Sequence, residues 1–317
     1  MPLKPRRLSP GDTIGLVAPA SAPPDPRAID RSVAVLEAAG FKPKLARNVR
    51  QRWGFLAGSD RERAADLMQM FSDPKVDALL CVRGGYGTAR LLDRLDYALI
   101  RAHPKIFVGY SDITSLHFAF LKRSNLVSFH GPMPNSDLIK EDVPTFTTNG
   151  LWRTLMNPVA PAGICQGYRG KPVTVLRGGK ASGPLLGGNL SILCASLGTP
   201  YQPSFKNAIL FFEDLDEVPF RFDRMLTQLL NAGLLQQVAG IAIGTNKNCR
   251  DPKAKKAKEY RQSLEDVFKE RLLPLKVPIL SGLPFGHVRY NATLPIGVQA
   301  MLDADKRDLV ITEPAVS

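Results

Sequence analysis

The chain has 317 residues, 44% of them hydrophobic, which is enough for two domains with ordinary cores and excludes intrinsic disorder. No stretch approaches the ~20 consecutive apolar residues of a membrane-spanning helix, so we expect no membrane association. The four cysteines lie far apart without a Cys-x-x-Cys pair, and the four histidines form no zinc-binding motif. We therefore expect neither a disulfide framework nor a metal or other cofactor.

The formal net charge of +13 is compatible with nucleic-acid binding, but the pattern of basic residues argues against it. Six cationic residues lie within residues 250–261, a segment that looks like a solvated loop before a helix. No zinc finger, aromatic stripe or recognition helix accompanies them, so we expect no nucleic-acid partner. A positive potential would instead attract a small substrate rich in carboxylates. Prolines between Pro19 and Pro26 interrupt any secretory signal, which predicts a cytoplasmic location.

Strand and helix patterns alternate over the first third of the chain. Asp25 followed by Pro26 predicts a helix start, and Ser59 with Glu62 predicts a capping box at the start of another helix. Alternation of such helices with apolar strands predicts a mostly parallel sheet covered by helices on both faces. The apolar runs that predict strands are residues 13–18, 76–82 and 105–110.

The pattern weakens in the middle of the chain, where prolines and glycines are scattered. We predict an N-terminal α/β domain at residues 1–131, a connecting segment at 132–183 and a C-terminal α/β or α+β domain at 184–317. The elements predicted in the last of these are helices at 189–197, 221–230 and 264–268, strands at 208–212 and 241–244, and a pair of strands around 303–306.

Ser111 stands between the apolar run that ends at Tyr110 and a helical pattern that begins at Ile113. A turn of this kind exposes a serine hydroxyl at the carboxyl edge of a sheet, with backbone N–H groups nearby, as a nucleophile requires. Ser111 could equally cap the helix, because Ile113 replaces the last glycine of the usual Gly-x-Ser-x-Gly turn.

A serine nucleophile needs a base, and the base needs an orienting acid. Of the four histidines, His287 in a loop after an apolar run is favoured, and His130 at a strand end stays open. The acid is one of several carboxylates after the strand at 208–212. Glu213, the first of them, is favoured over Glu217, because a carboxylate at a strand end is held rigidly.

Several short motifs occur along the chain, and Ser111, Glu213 and His287 each lie in one of them. Together they resemble the LD-carboxypeptidases, a family of serine peptidases with a Ser-Glu-His triad. The likeness extends from about residue 11 to about residue 297. The motifs are Arg83-Gly84-Gly85-Tyr86-Gly87, Gly109-Tyr110-Ser111-Asp112, His130-Gly131-Pro132, Gly187-Gly188-Asn189-Leu190, Phe212-Glu213-Asp214 and Gly286-His287.

The resemblance implies a catalytic triad of Ser111, Glu213 and His287. Because Ser111 precedes the connecting segment and the other two residues follow it, we predict that the site lies between the two domains. It also implies an oxyanion hole in which the backbone N–H of Gly85 joins that of Asp112, the residue after the nucleophile. The Asp112 side chain itself is expected to be an acid at the helix N-terminus. The implied function is hydrolysis of an L,D-peptide bond in a muropeptide, with release of D-alanine during cell-wall recycling. A homodimer is implied as well.

Two alternatives remain. The microcin-immunity branch of the family cleaves peptidyl or aminoacyl nucleotides with a similar triad, and Trp152 is a weak hint of an aromatic platform for a purine. A Rossmann-type nucleotide-binding protein is the alternative from another class, because Gly85-Tyr86-Gly87 follows a strand and opens a helix. Arg90 occupies the place of the third glycine that this signature needs, which disfavours it.

Overall fold

Two β-sheets flanked by helices make up the fold of this computed structural model, which describes residues 1–160, 162–250 and 262–317. The predicted basic loop at 250–261 lies outside the described residues except for Arg250. Within the described ranges, no helix is both long enough and apolar enough to span a bilayer.

The β-strands are numbered in chain order. They are β1 (Thr13–Val17), β2 (Lys42–Leu45), β3 (Ala78–Cys81), β4 (Ile106–Gly109), β5 (Ser128–His130), β6 (Ala162–Gly163), β7 (Thr174–Arg177), β8 (Lys180–Asn189), β9 (Ile209–Glu213), β10 (Gly240–Gly244), β11 (Ile279–Leu283), β12 (Leu294–Ile296), β13 (Gln299–Asp303) and β14 (Asp308–Ile311).

The α-helices are fewer and mostly short. They are α1 (Ala28–Ala38), α2 (Asp60–Ser72), α3 (Tyr97–Ala102), α4 (Thr114–Ala119), α5 (Thr145–Met156), α6 (Leu190–Ala195), α7 (Pro219–Asn231) and α8 (Leu264–Leu272). Short 3₁₀ or π segments lie at Thr88–Arg94, Ser111–Ile113, Phe120–Ser124, Pro134–Leu138, Leu235–Gln237 and Leu273–Leu275.

The first sheet has six strands in the order β12-β5-β4-β3-β1-β2. Strands β1 to β5 are parallel, whereas β12 is antiparallel to β5. Every residue of β3 and β4 is buried, because helices cover both faces, and this is why these strands are continuous apolar runs in the sequence. The predicted mostly parallel sheet flanked by helices is confirmed.

The second sheet has eight strands in the order β6-β14-β13-β8-β9-β10-β11-β7. Its centre, β8 to β11, is parallel, and the remaining strands add antiparallel pairs on either side. The first half of β8 pairs with β13 and the second half with β9, so this long strand joins the two parts. A second mixed α/β unit was expected for this part of the chain, and the sheet agrees with it.

The sequence correctly predicted the start of helix α2, but it placed the start of α1 two residues too early. Ser59 and Glu62 form the expected capping box of α2, with Ser59 Oγ accepting the Glu62 N–H. Helix α1 begins at Ala28 with Arg27 as its N-cap, two residues later than the sequence predicted. The reason is that Asp25 Oδ1 accepts the Arg27 N–H at 3.0 Å, which fixes a turn before the helix.

The predicted domain boundaries do not coincide with the division of the strands between the two sheets. β12 comes from the predicted C-terminal domain at 184–317, yet it pairs with β5 of the first sheet. β6 and β7 come from the predicted connecting segment at 132–183, yet they are the edge strands of the second sheet. Strands of two to four residues carry too little periodicity to be recognised in the sequence. The boundaries themselves stay a prediction.

Gly188, near the end of β8, lets the second sheet approach helix α4 of the first. A Cβ at Gly188 would lie 2.5 Å from both Oγ1 and Cγ2 of Thr114, so a side chain there has no room. In the same contact the Asn189 N–H donates to Thr114 Oγ1 at 3.0 Å. Because Thr114 follows Ser111 by three residues, this contact fixes the candidate nucleophile relative to the second sheet.

We expect Gly188→Ala to destabilise the fold through its collision with Thr114. The free energy of unfolding should fall by about 1–3 kcal/mol more than in Gly198→Ala, the control, where a Cβ meets no atom within 4 Å. Urea denaturation measures both. Placed in a Thr114→Ala background, Gly188→Ala should cost less; an equal cost in the two backgrounds would contradict the collision.

Candidate active site

Ser111 is held in an unusual backbone conformation directly after β4. Its φ is 66°, in the left-handed region that non-glycine residues seldom adopt and that costs roughly 1–3 kcal/mol. The Ser111–Ile113 turn and α4 both begin without a side-chain cap hydrogen bond. The capping interpretation of Ser111 is therefore wrong, and the strained turn is of the kind that exposes a nucleophile.

The glycine loop after β3 lies against Ser111. A Cβ at Gly84 would be 2.9 Å from Ser111 Cβ and 3.3 Å from Ser111 Oγ, so the loop backbone touches the candidate nucleophile. Asp112 holds the loop there: its Oδ2 accepts the Thr88 N–H at 2.9 Å and its carbonyl accepts the Thr88 hydroxyl. Asp112 lies in the first turn of the Ser111–Ile113 helix, as expected for a helix N-terminal acid, and its buried carboxylate also anchors the loop.

Gly85, one of the two predicted oxyanion-hole residues, sits in a position that only glycine fits. Its φ is 118°, and a Cβ there would be 2.4 Å from Ser21 Oγ, which accepts the Tyr86 N–H at 3.1 Å. In the described part of the chain, no hydrogen-bond acceptor is found for the Gly85 N–H. This N–H can bind an oxyanion beside Ser111, although its role stays a prediction.

Glu213 and His287, the predicted acid and base, are in direct contact. Glu213 ends β9 with its side chain 0% exposed, and its Oε2 lies 2.7 Å from His287 Nδ1, whose ring is 14% exposed. Because an ionised carboxylate only accepts, the ring proton belongs on Nδ1 and Nε2 is left to act as a base.

Gly286 lets the loop that carries His287 pass over Glu213. Its φ is 114°, and a Cβ would lie 2.8 Å from Glu213 Oε2. The loop is fixed from the other side, since the Gly286 N–H donates to Asn291 Oδ1 at 3.1 Å. The two residues of the Gly286-His287 motif thus act together, because the glycine leaves the space in which His287 contacts Glu213.

The environment of His287 favours the protonated ring. Burial by itself lowers the pKa of His287, but the hydrogen bond and negative charge of Glu213 outweigh burial, so the pKa is raised above its ordinary value of 6.5. A base with its pKa raised above 6.5 takes up a proton readily during a reaction near neutral pH.

Tyr110 connects the Ser111 turn with His287. The two rings meet edge to face with centroids 4.9 Å apart, and the Tyr110 hydroxyl donates to Asp137 Oδ1 at 3.4 Å. Asp137 also accepts the Met133 N–H at 3.0 Å, and burial raises the pKa of its carboxyl to about 6. The residue before the candidate nucleophile therefore packs on the candidate base.

The other sequence candidates have structural roles. His130 is 0% exposed, its ring packs against Tyr110 and Phe211, and burial lowers its pKa well below the ordinary range. An inaccessible, neutral ring of this kind belongs to the core. Glu217 lies 3.2 Å from Arg221 at the start of α7, and not at the histidine.

Asp214 is a residue whose role the sequence did not reveal. Its carboxylate accepts the N–H and hydroxyl of Ser191 at 2.9 and 2.7 Å and the side-chain amide of Asn189 at 2.9 Å, while its own N–H donates to Asn246 Oδ1. Asp214 ties the end of β9 to the preceding α6, which holds Glu213 in place. Asn189 lies in one of the sequence motifs, but the sequence did not show that its side chain donates to Asp214.

A cavity of about 340 Å³ opens beside His287. It is bordered by the segment after β5, by the loop after β10 and by the loop that follows His287. Its lining is Asp137, Lys140, Asp142, Val143, Pro144, Lys247, His287, Val288 and Arg289. His287 thus faces an open space with several charged side chains.

Residues 14–131 match the N-terminal domain of the LD-carboxypeptidases, and residues 182–302 match their C-terminal domain. The chain is also 42% identical over 308 residues to the probable murein peptide carboxypeptidase of Bacillus subtilis, covering 97% of this chain and 94% of that protein. The chain belongs to the LD-carboxypeptidase family. The predicted family resemblance is confirmed, and the Rossmann alternative is not supported.

Two further proteins show the range of this family. The crystal structure of muramoyltetrapeptide carboxypeptidase from Oxalobacter formigenes has a TM-score of 0.82 and 30% identity, and the match covers 95% of this chain and 99% of that one. The microcin C7 self-immunity protein MccF of Escherichia coli is 28% identical over 342 residues, covering 100% of this chain and 97% of that protein.

We expect Gly286→Ala to disrupt the Glu213–His287 contact. The control is Gly233→Ala, which also has a positive φ, 68°, but no atom within 4 Å of a Cβ. Gly233→Ala should cost about 1–2 kcal/mol of backbone strain and leave turnover unchanged. Gly286→Ala should in addition lower kcat/KM by roughly 100-fold, because the histidine is displaced. Equal kinetics for the two variants would contradict the collision with Glu213.

We also expect the protonation of His287 to control activity. The neutral ring is the predicted base, so kcat/KM should be lost as the pH falls through a pKa above 6.5. NMR titration of the His287 ring protons should give the same pKa. Glu213→Gln removes the interaction that raises this pKa and should lower it; an unchanged titration would contradict the coupling.

Proposed function

We propose that this protein is a serine-type carboxypeptidase that releases the terminal D-alanine of murein tetrapeptide by hydrolysing an L,D-peptide bond. Ser111 is the nucleophile, His287 the general base and Glu213 the acid that orients it. The observation that carries the proposal is the 2.7 Å contact between buried Glu213 and His287, beside the strained turn at Ser111, in a chain of the LD-carboxypeptidase family.

Each of the three residues has the role of its counterpart in a serine catalytic triad. His287 Nε2 removes the proton of the Ser111 hydroxyl as Oγ attacks the carbonyl carbon of the scissile bond. Glu213 stabilises the imidazolium that forms. The N–H groups of Gly85 and Asp112 bind the oxyanion. The imidazolium then protonates the leaving amine, and water hydrolyses the acyl-enzyme with His287 again as base.

The names of the relatives support murein peptide as the substrate class, since the Bacillus subtilis protein is a probable murein peptide carboxypeptidase and the Oxalobacter formigenes enzyme a muramoyltetrapeptide carboxypeptidase. A role in recycling cell-wall peptides in the cytoplasm, by a homodimer, fits this substrate and the family resemblance. Size-exclusion chromatography with light scattering tests the dimer.

Hydrolysis of peptidyl or aminoacyl nucleotides is the second candidate, because the MccF match covers the whole chain. The sequence hint for a purine platform at Trp152 is weakened, because that ring is packed against Phe41 with centroids 4.8 Å apart. Assays on murein tetrapeptide and on an aminoacyl sulfamoyl adenylate separate the two functions. Preferential cleavage of the nucleotide would replace the first proposal by the second.

Ser111→Ala should abolish turnover and leave the fold intact. Loss of a triad nucleophile costs on the order of 10⁶-fold in kcat. Release of D-alanine from murein tetrapeptide measures turnover, thermal melting measures the fold, and Ser72→Ala at the exposed end of α2 is the matched control.

His287→Ala should cost about as much as Ser111→Ala, and the double variant should lose no more than either single one, because the residues act as a unit. Turnover by Ser111→Ala near the wild-type rate would contradict the assignment of the nucleophile.

A further inference from the structure

The cavity beside His287 offers space for the leaving group of the proposed reaction. In the proposed reaction His287 donates its proton to the leaving amine, so the released residue lies next to the ring and not on the far side of Ser111. His287 itself lines this cavity of about 340 Å³. A leaving residue next to the ring would therefore lie in this cavity.

A carboxypeptidase substrate places a negative charge at a fixed distance from the scissile bond. One residue spans roughly 3.3–3.6 Å of extended chain, so the free α-carboxylate of the last residue lies within about that distance of the bond being cut. A group that recognises this carboxylate has to belong to the wall of the same cavity.

Three cationic side chains line this wall, and two of them are lysines. The third, Arg289, is oriented toward Asp142, because its Nη2 lies 3.2 Å from Asp142 Oδ2 and its Nε donates to the Asp142 carbonyl at 3.0 Å. For Lys140 and Lys247, the described residues provide no ion-pair partner. The buried carboxyl of Asp137 already accepts from Met133 and Tyr110.

The backbone holds both lysines in fixed places relative to the catalytic pair. The Lys247 N–H donates to the carbonyl of Asp214, the neighbour of Glu213, at 3.2 Å, and the Lys247 carbonyl accepts the Asp216 N–H at 2.9 Å. On the other wall, the Lys140 N–H donates to the Asp137 carbonyl at 3.2 Å. Each ammonium group is thus carried by a segment that is bound to a neighbour of the site.

We propose that Lys140 and Lys247 form the subsite that binds the C-terminal carboxylate of the substrate, and that they make the enzyme a carboxypeptidase and not an endopeptidase. This inference rests on the proposed function for the identity of the substrate. A charged hydrogen bond to a carboxylate is stronger than a neutral one, so loss of both lysines should lower kcat/KM by ~10- to 100-fold.

The test compares murein tetrapeptide with the same peptide ending in a carboxamide. The Lys140→Met/Lys247→Met protein should lose roughly 10- to 100-fold in kcat/KM on the acid, mostly through KM, and change little on the amide. Lys122→Met, at an exposed lysine in the Phe120–Ser124 segment, is the matched control and should behave as wild type. Equal losses on acid and amide, or no loss on the acid, would overturn the proposal.

A binding measurement separates this proposal from the proposed function. If the wild-type protein releases nothing from tetrapeptide, the proposed function fails, and the subsite is tested by titrating D-alanine while the His287 ring protons are observed by NMR. A shift in the wild type that is absent in the double lysine variant, and absent with D-alaninamide, supports the carboxylate subsite. No shift in the wild type, or the same shift in both proteins, overturns it.

Discussion

The hydrogen bond between Glu213 and His287 is the interaction on which the site depends. A fully buried carboxylate is costly unless it is paired, so the end of β9 is stable only with the histidine in place. That requirement explains the glycine at position 286 and the network by which Asp214 fixes the strand end. The same hydrogen bond places the ring proton on Nδ1 and raises the pKa of His287. The contact that stabilises the end of β9 therefore also determines the protonation of the ring.

The candidate residues converge because they follow parallel strands. The loop of Gly84 follows β3, Ser111 follows β4, Glu213 ends β9, Lys247 follows β10 and His287 follows β11. The carboxyl ends of parallel strands lie on one edge of a sheet, where ligands of α/β proteins bind. Two such edges, brought together where Gly188 meets Thr114, give a site to which each sheet contributes part.

Much of this could be predicted from the sequence, because buried strands and the turns after them leave local patterns. Ser111 and Glu213 stand directly after apolar runs. His287 was already favoured over His130 by its position in a loop, and the resemblance to a known family favoured it further. The contacts by which Asp112 anchors the glycine loop and Asp214 fixes the end of β9 could not be predicted, since their partners Thr88 and Ser191 lie more than twenty residues away in the chain. Whether a carboxylate caps a helix, anchors a loop or orients a base depends on such long-range contacts.

Strand β12 has a consequence for the autonomy of the two halves. It covers β5, which would otherwise be the outer strand of the first sheet, and it is supplied from more than 160 residues further along the chain. A fragment that ends before β12 would leave the N–H and C=O groups of β5 exposed as a template for intermolecular pairing. The N-terminal half released by proteolysis or premature termination is therefore prone to aggregate, and complementation from two pieces cut before β12 requires the second piece to supply this strand to β5.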